Sequence, residues 1–178
     1  KTSLEALEVM KGYFFEQLLL KQYPSINSMV YRGYCLGIDF NEPFYLATLQ
    51  CTSEHIGTNK VEFIDKIVQA ISRYLEVQDY NLLITEKDGH ILLLLPKVPD
   101  LSFKLENIMK HLSLQFRFVN FRVGLSNETT ALDMLNESIE ESQIALRLNS
   151  KETIVSFEQA NIVGSLINSQ NMTIVRRL

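Results

Sequence analysis

Hydrophobic positions along the chain change period several times, and each change marks an element. Residues 2–21, TSLEALEVMKGYFFEQLLLK, read as a helix that Thr2 or Ser3 can cap, with Glu5 in the first turn. Leu4, Leu7, Phe14 and Leu18 fall on a 3-4-3-4 stripe that Lys11 interrupts. Pro24 and Ser25 end this helix, and a short second one runs to Gly37, a residue suited to a left-handed turn. Phe44–Thr52, FYLATLQCT, reads as a strand introduced by Pro43. After the loop SEHIGTN comes an amphipathic helix with Val61, Ile64, Ile67, Val68, Ile71 and Leu75 on one face.

Tyr80–Lys87 and His90–Pro96 then form a hairpin around Asp88-Gly89, the pair favoured where both turn positions need φ > 0. Leu92 to Leu95 do not alternate with polar residues, so this strand is covered on both faces and belongs at the sheet's centre. A helix over 100–116, a strand over 116–126, a helix over 131–148 with an acidic outer face, the short strand TIVSF and a last helix over 158–170 complete the pattern. The order is β-α-β-β-α-β-α-β between helical arms. This is an α+β fold of the split βαβ type, with a central hairpin and helices packed on the sheet.

Composition narrows the function only by exclusion. The 178 residues carry a net charge of −4 and the usual share of apolar side chains. No cluster of Lys and Arg offers the footprint of a nucleic-acid binder. The longest unbroken apolar run, Ile91–Leu95, is too short to span a bilayer. No signal-peptide pattern follows Lys1, and the chain reads as a piece of a longer cytoplasmic protein. Cys35 and Cys51 stand without a CxxC or His/Cys cluster, and His55, His90 and His111 are scattered, so no metal site and no cofactor is expected. There is no Gly-x-Ser-x-Gly elbow and no Walker A loop; Gly124-Leu125-Ser126 is half an elbow and reads as a strand end.

A hairpin between two crossover helices is where GGDEF-type nucleotide cyclases carry their signature. With the apolar strand as anchor, Lys87, Asp88, Gly89, His90 and Ile91 of KDGHILLLLP stand where Gly, Gly, Asp, Glu and Phe would be. The chain resembles more closely the degenerate GGDEF-like domain of PucR/CdaR-type bacterial transcriptional regulators. Three pieces carry that resemblance: YFFEQLLLKQ with YRGYCLGIDFNEPFYLATLQ; VGLSNET with SIEESQIAL; and TIVSFEQANIVGSLIN. The resemblance implies a signalling helix over 1–28, a GGDEF-like domain over 29–157 and an exit helix over 158–178, leading towards a helix-turn-helix that is not in this sequence.

A cyclase of this layout needs carboxylates to hold divalent metal and glycines that let the backbone approach the nucleotide. Here the metal-ligand position of the hairpin is Gly89, and the first strand ends in Gln50, Cys51 and Thr52. The expectation is therefore a non-enzymatic middle domain, a homodimer reaching DNA only through the helix-turn-helix of the longer protein, with no membrane contact. Leu4, Leu7, Phe14 and Leu18 are the candidate dimer contact; the same stripe also suits a helix docked on its own domain. The alternative reading is a sensor for a nucleotide or other small-molecule effector, with His55, Lys60, Lys87, Asp88 and His90 as the polar groups of a vestigial pocket. A plain dimerisation module is a third reading.

Overall fold

The computed structural model describes residues 3–54, 59–148 and 150–159. Its elements are α1 (Ser3–Leu19), α2 (Ile26–Cys35), β1 (Phe44–Thr52), α3 (Lys60–Glu76), β2 (Leu83–Lys87), β3 (His90–Pro96), α4 (Leu101–Gln115), β4 (Asn120–Leu125), a 3-10 turn (Leu132–Met134), α5 (Leu135–Leu146) and β5 (Ile154–Ser156). The five strands form one mixed sheet in the order β2-β3-β1-β4-β5. The β2–β3, β3–β1 and β1–β4 pairs are antiparallel and β4–β5 is parallel. This is the expected α+β architecture.

The leucine run of β3 explains the layering. Ile91, Leu93 and Leu95 point into one core with Ile64, Ile67 and Ile71 of α3 and Leu105, Ile108 and Leu112 of α4. Leu92 and Leu94 point into a second core with Phe14, Phe15, Leu18 and Leu19 of α1, Met29 of α2 and Leu135 and Ile139 of α5. A strand buried on both sides cannot alternate in polarity. The middle position belongs to β1, with β3 beside it.

Helix α1 departs from expectation in what it touches. Phe14 and Leu18, expected in a dimer contact, are each only 1% exposed and fill the second core. Leu4 and Leu7 are exposed. The four therefore do not form one free face: at its C-terminal half the stripe meets apolar side chains of its own domain. Lys11, on the same stripe, is buried; its ammonium bonds to Asn81 Oδ1 and lies 3.6 Å from Glu8 Oε1. Asn81 in turn donates to the Leu36 carbonyl at the end of α2. The helix closes in a Schellman arrangement, with Gln22 N–H on the Gln17 carbonyl and Lys21 at φ 54°.

Other differences sit at element ends. Val61 lies in the first turn of α3 and is exposed rather than packed. Tyr80–Leu82 precede rather than join β2, and Tyr80 is held by its hydroxyl on the Pro96 carbonyl at 2.6 Å. Residues 116–119 close α4 instead of opening β4, with Phe116 N–H on Leu112 and Val119 N–H on Phe116. Most of the expected helix over 158–170 lies outside the described residues.

Candidate functional site

The hairpin tip and the end of β1 form the region the sequence singles out. Lys87 pairs with His90 across the turn, and Asp88 (φ 54°) and Gly89 (φ 80°) take the left-handed conformations of a two-residue primed turn. Gly89 N–H donates to Glu86 Oε1 at 2.8 Å, so the turn is tied to its own strand.

Lys60, the first residue of α3, reaches this turn. A Cβ placed on Gly89 would lie 3.1 Å from Lys60 Nζ and 3.6 Å from its Cε. The room that a side chain at position 89 would take is thus bordered by an ammonium group. The same cation acts on Cys51 near the end of β1, where burial pushes the thiol up to about 12 and Lys60 pulls weakly the other way. At neutral pH that thiol is protonated and a poor nucleophile. The end of β1 and the hairpin tip therefore share a cation and a neutral thiol.

Of the candidate pocket residues, Lys87, Asp88 and His90 share the hairpin tip, and Lys60 reaches it from the start of α3. Lys87 and His90 have the strand parity of Leu83, Leu92 and Leu94, which face α1 and α5. Lys60 starts α3, which packs on the opposite face. Asp88 is exposed at the tip between them, and His55 lies outside the described residues. Among the described residues, no group of three His, Cys, Asp or Glu side chains is arranged to hold a metal ion. No helix there is long and apolar enough to cross a membrane.

Concavities lie elsewhere. A pocket of about 380 Å³ opens between the end of β1 and the α4–β4 turn, lined by Ser53, Phe63, Phe116, Arg117 and Phe118 among others. A groove of about 720 Å³ runs between α1 and α3 along the edge strand β2, bordered by Val9, Tyr13, Glu16, Asp65 and Arg73. Sequence reasoning named none of these as site residues. The aromatic density of FRF at 116–118 was the available signal for the first, and the second needs the packing of α1 to be known.

The residues that carry the resemblance hold the scaffold. A Cβ on Gly124 would fall 1.9 Å from the Ser142 carbonyl oxygen, so the glycine lets α5 lie against β4. Ser126 Oγ accepts the Leu46 N–H at 2.9 Å and donates to the Asn127 carbonyl at 2.8 Å. Ser142 Oγ donates to the Ile139 carbonyl and meets Thr48 Oγ1, both at 2.6 Å, where Thr48 and Ser142 are fully buried. Glu141 accepts the Asn127 N–H at 3.2 Å, and Ala145 is fully buried. In the LGID stretch, Gly37 turns at φ 87° and Asp39 Oδ1 accepts the Asn41 N–H at 3.0 Å. Half an elbow at 124–126 is thus a packing device and a strand tie.

Comparison with known proteins gives no match among curated sequences. The family model for the GGDEF-like domain matches residues 24–148, which span β1 to α5 together with α2. With the hairpin, the crossover helices and the Gly124–Ser142 contact in place, the chain belongs to the GGDEF-like domain family.

Proposed function

We propose that this chain is a non-catalytic regulatory and dimerisation domain of a PucR/CdaR-type transcriptional regulator. It passes the state of an upstream segment to a C-terminal helix-turn-helix beyond this sequence. One observation carries the non-catalytic reading: Lys60 Nζ borders the space at Gly89 where the related cyclases have a metal-binding carboxylate. A divalent cation there would face a like charge and find no carboxylate at position 51. The neutral Cys51 thiol supports the same reading.

The relay reading draws support from α1. Phe14, Phe15, Leu18 and Leu19 are buried with β2, β3 and α5, and Lys11 connects through Asn81 to the end of α2. Any displacement of α1 therefore disturbs the domain core rather than a loose tether. The fragment binds DNA weakly in this reading, as its charge of −4 suggests.

Incubation with GTP or ATP and Mg²⁺ or Mn²⁺, followed by chromatography, gives no cyclic nucleotide. Turnover that Asp88→Ala abolishes would overturn the reading.

A further inference from the structure

Helix α1 has a second apolar face, opposite the one in the core. At 100° per residue, Lys11, Phe14, Phe15 and Leu18 centre on one side, and Ala6, Val9, Tyr13, Glu16 and Leu20 centre on the other. These five are all exposed, with Val9 at 58%, Tyr13 at 62% and Leu20 at 51%; Met10, on the flank, is at 58%. Leu20 still continues the helix, because its N–H donates to the Glu16 carbonyl. Their spacing is 3-4-3-4, the repeat that lets two helices pack along a seam. Val9, Tyr13 and Glu16 also border the groove between α1 and α3, so this seam runs along the groove's rim.

We propose that this outer face of α1 pairs with the same face of a second copy of the chain, antiparallel about a two-fold axis. Glu16 decides the direction. In a parallel pair, identical positions meet, and the two Glu16 carboxylates would face each other. In the antiparallel pair, positions summing to 29 meet. Val9 then packs on Leu20 of the second copy, and Tyr13 lies level with Glu16, so that a phenol donates to a carboxylate. By the two-fold axis each contact occurs twice, which closes the dimer. The seam therefore complements itself in one direction and repels itself in the other.

Helix α1 is already ordered by its inner face, so pairing does not carry the nucleation cost of an isolated helix. Its 17 residues span about 25 Å, so the contact is at the small end of specific interfaces and the dimer is concentration-dependent. This inference deepens the dimer element of the proposed function and is independent of the non-catalytic element.

Disulfide trapping tests it, in a Cys35→Ser, Cys51→Ala background whose melting curve confirms folding. Val9→Cys and Leu20→Cys chains are oxidised separately and mixed. The mixture is expected to give a covalent dimer, and each variant alone to stay monomeric. A dimer from Val9→Cys alone would overturn the antiparallel arrangement, and no dimer from the mixture would overturn the seam. A charge exchange reads the same contact without oxidation. Tyr13→Glu is expected to be monomeric by analytical ultracentrifugation, and Tyr13→Glu with Glu16→Lys to recover the dimer. A double variant that stays monomeric refutes the Tyr13–Glu16 pairing. Cyclic-nucleotide formation would refute the non-catalytic reading and leave this seam standing.

Discussion

Gly89 and Gly124 are both glycines beside strands of one sheet, and they do opposite work. At Gly124 a Cβ would meet backbone, the Ser142 carbonyl oxygen at 1.9 Å. At Gly89 it would meet the end of a flexible side chain, Lys60 Nζ at 3.1 Å. The first position is closed by a helix that cannot move without taking the core with it. The second is closed by a cation that can swing into solvent. In this chain, then, the elements that build the cyclase-like scaffold are packed to atomic contact, while the place of its chemistry is loosely filled.

The sharpest way to break that contrast is Gly124→Ala. The methyl group forces α5 away from β4, and a cost of about 3 kcal/mol is expected, the upper end for overpacking a core. Urea unfolding measures it. A loss under about 1 kcal/mol would mean that α5 tolerates displacement and that the scaffold is not rigid there.

The polar pair under the same helix sharpens the point. Ser142→Ala leaves the buried Thr48 hydroxyl without its partner and is expected to cost about 2 kcal/mol. Replacing both, Ser142→Ala with Thr48→Val, removes the orphan and is expected to be less destabilising than the single change. A double variant less stable than Ser142→Ala would show that the pair contributes more than mutual satisfaction.

Gly89→Ala is expected to cost about 1 kcal/mol, from the positive φ alone, because Lys60 can yield. A much larger loss would place Lys60 in a rigid contact and erase the difference between the two glycines.

Much of this contrast was legible in the sequence. The unalternating leucines of β3 announced a strand buried on both sides, and Asp88-Gly89 announced a primed turn with φ > 0 at both positions. Glycine at 89, set against the apolar strand, and cysteine at 51, at the end of the first strand, carried the expectation of missing carboxylates. What filled the gap could not be read, since Lys60 lies 29 positions away and meets Gly89 only through the packing of α3. The partner of α1 was hidden for a related reason. A helix apolar on two faces shows a 3-4 pattern on either one, and periodicity does not say which face the domain takes. Lys11, read as an interruption of the stripe, is a buried polar tie to Asn81.

The smallest effect at neutral pH belongs to Cys51. Burial raises its thiol from 9.0 to about 12, with Lys60 opposing. Below pH 9 the thiol is protonated in the folded and unfolded chains alike, and titration adds nothing to stability. Above pH 9 the unfolded chain loses this proton while the folded chain keeps it, so stability falls as pH rises, by up to about 1.4 kcal/mol per unit until the folded thiol titrates. Cys51→Ala is expected to remove that slope between pH 9 and 11. Tyr80 adds a decline of the same sign, because burial and the charge of Asp100 raise its phenol too, so the slope flattens without vanishing. At pH 8 the consequence is kinetic: a thiol reagent is expected to label exposed Cys35 at once and Cys51 at least about tenfold more slowly. Equal labelling of both would mean that Lys60 outweighs burial and holds a thiolate at the end of β1. A reactive anion would then stand beside the hairpin tip, and the loosely filled region would carry chemistry of its own.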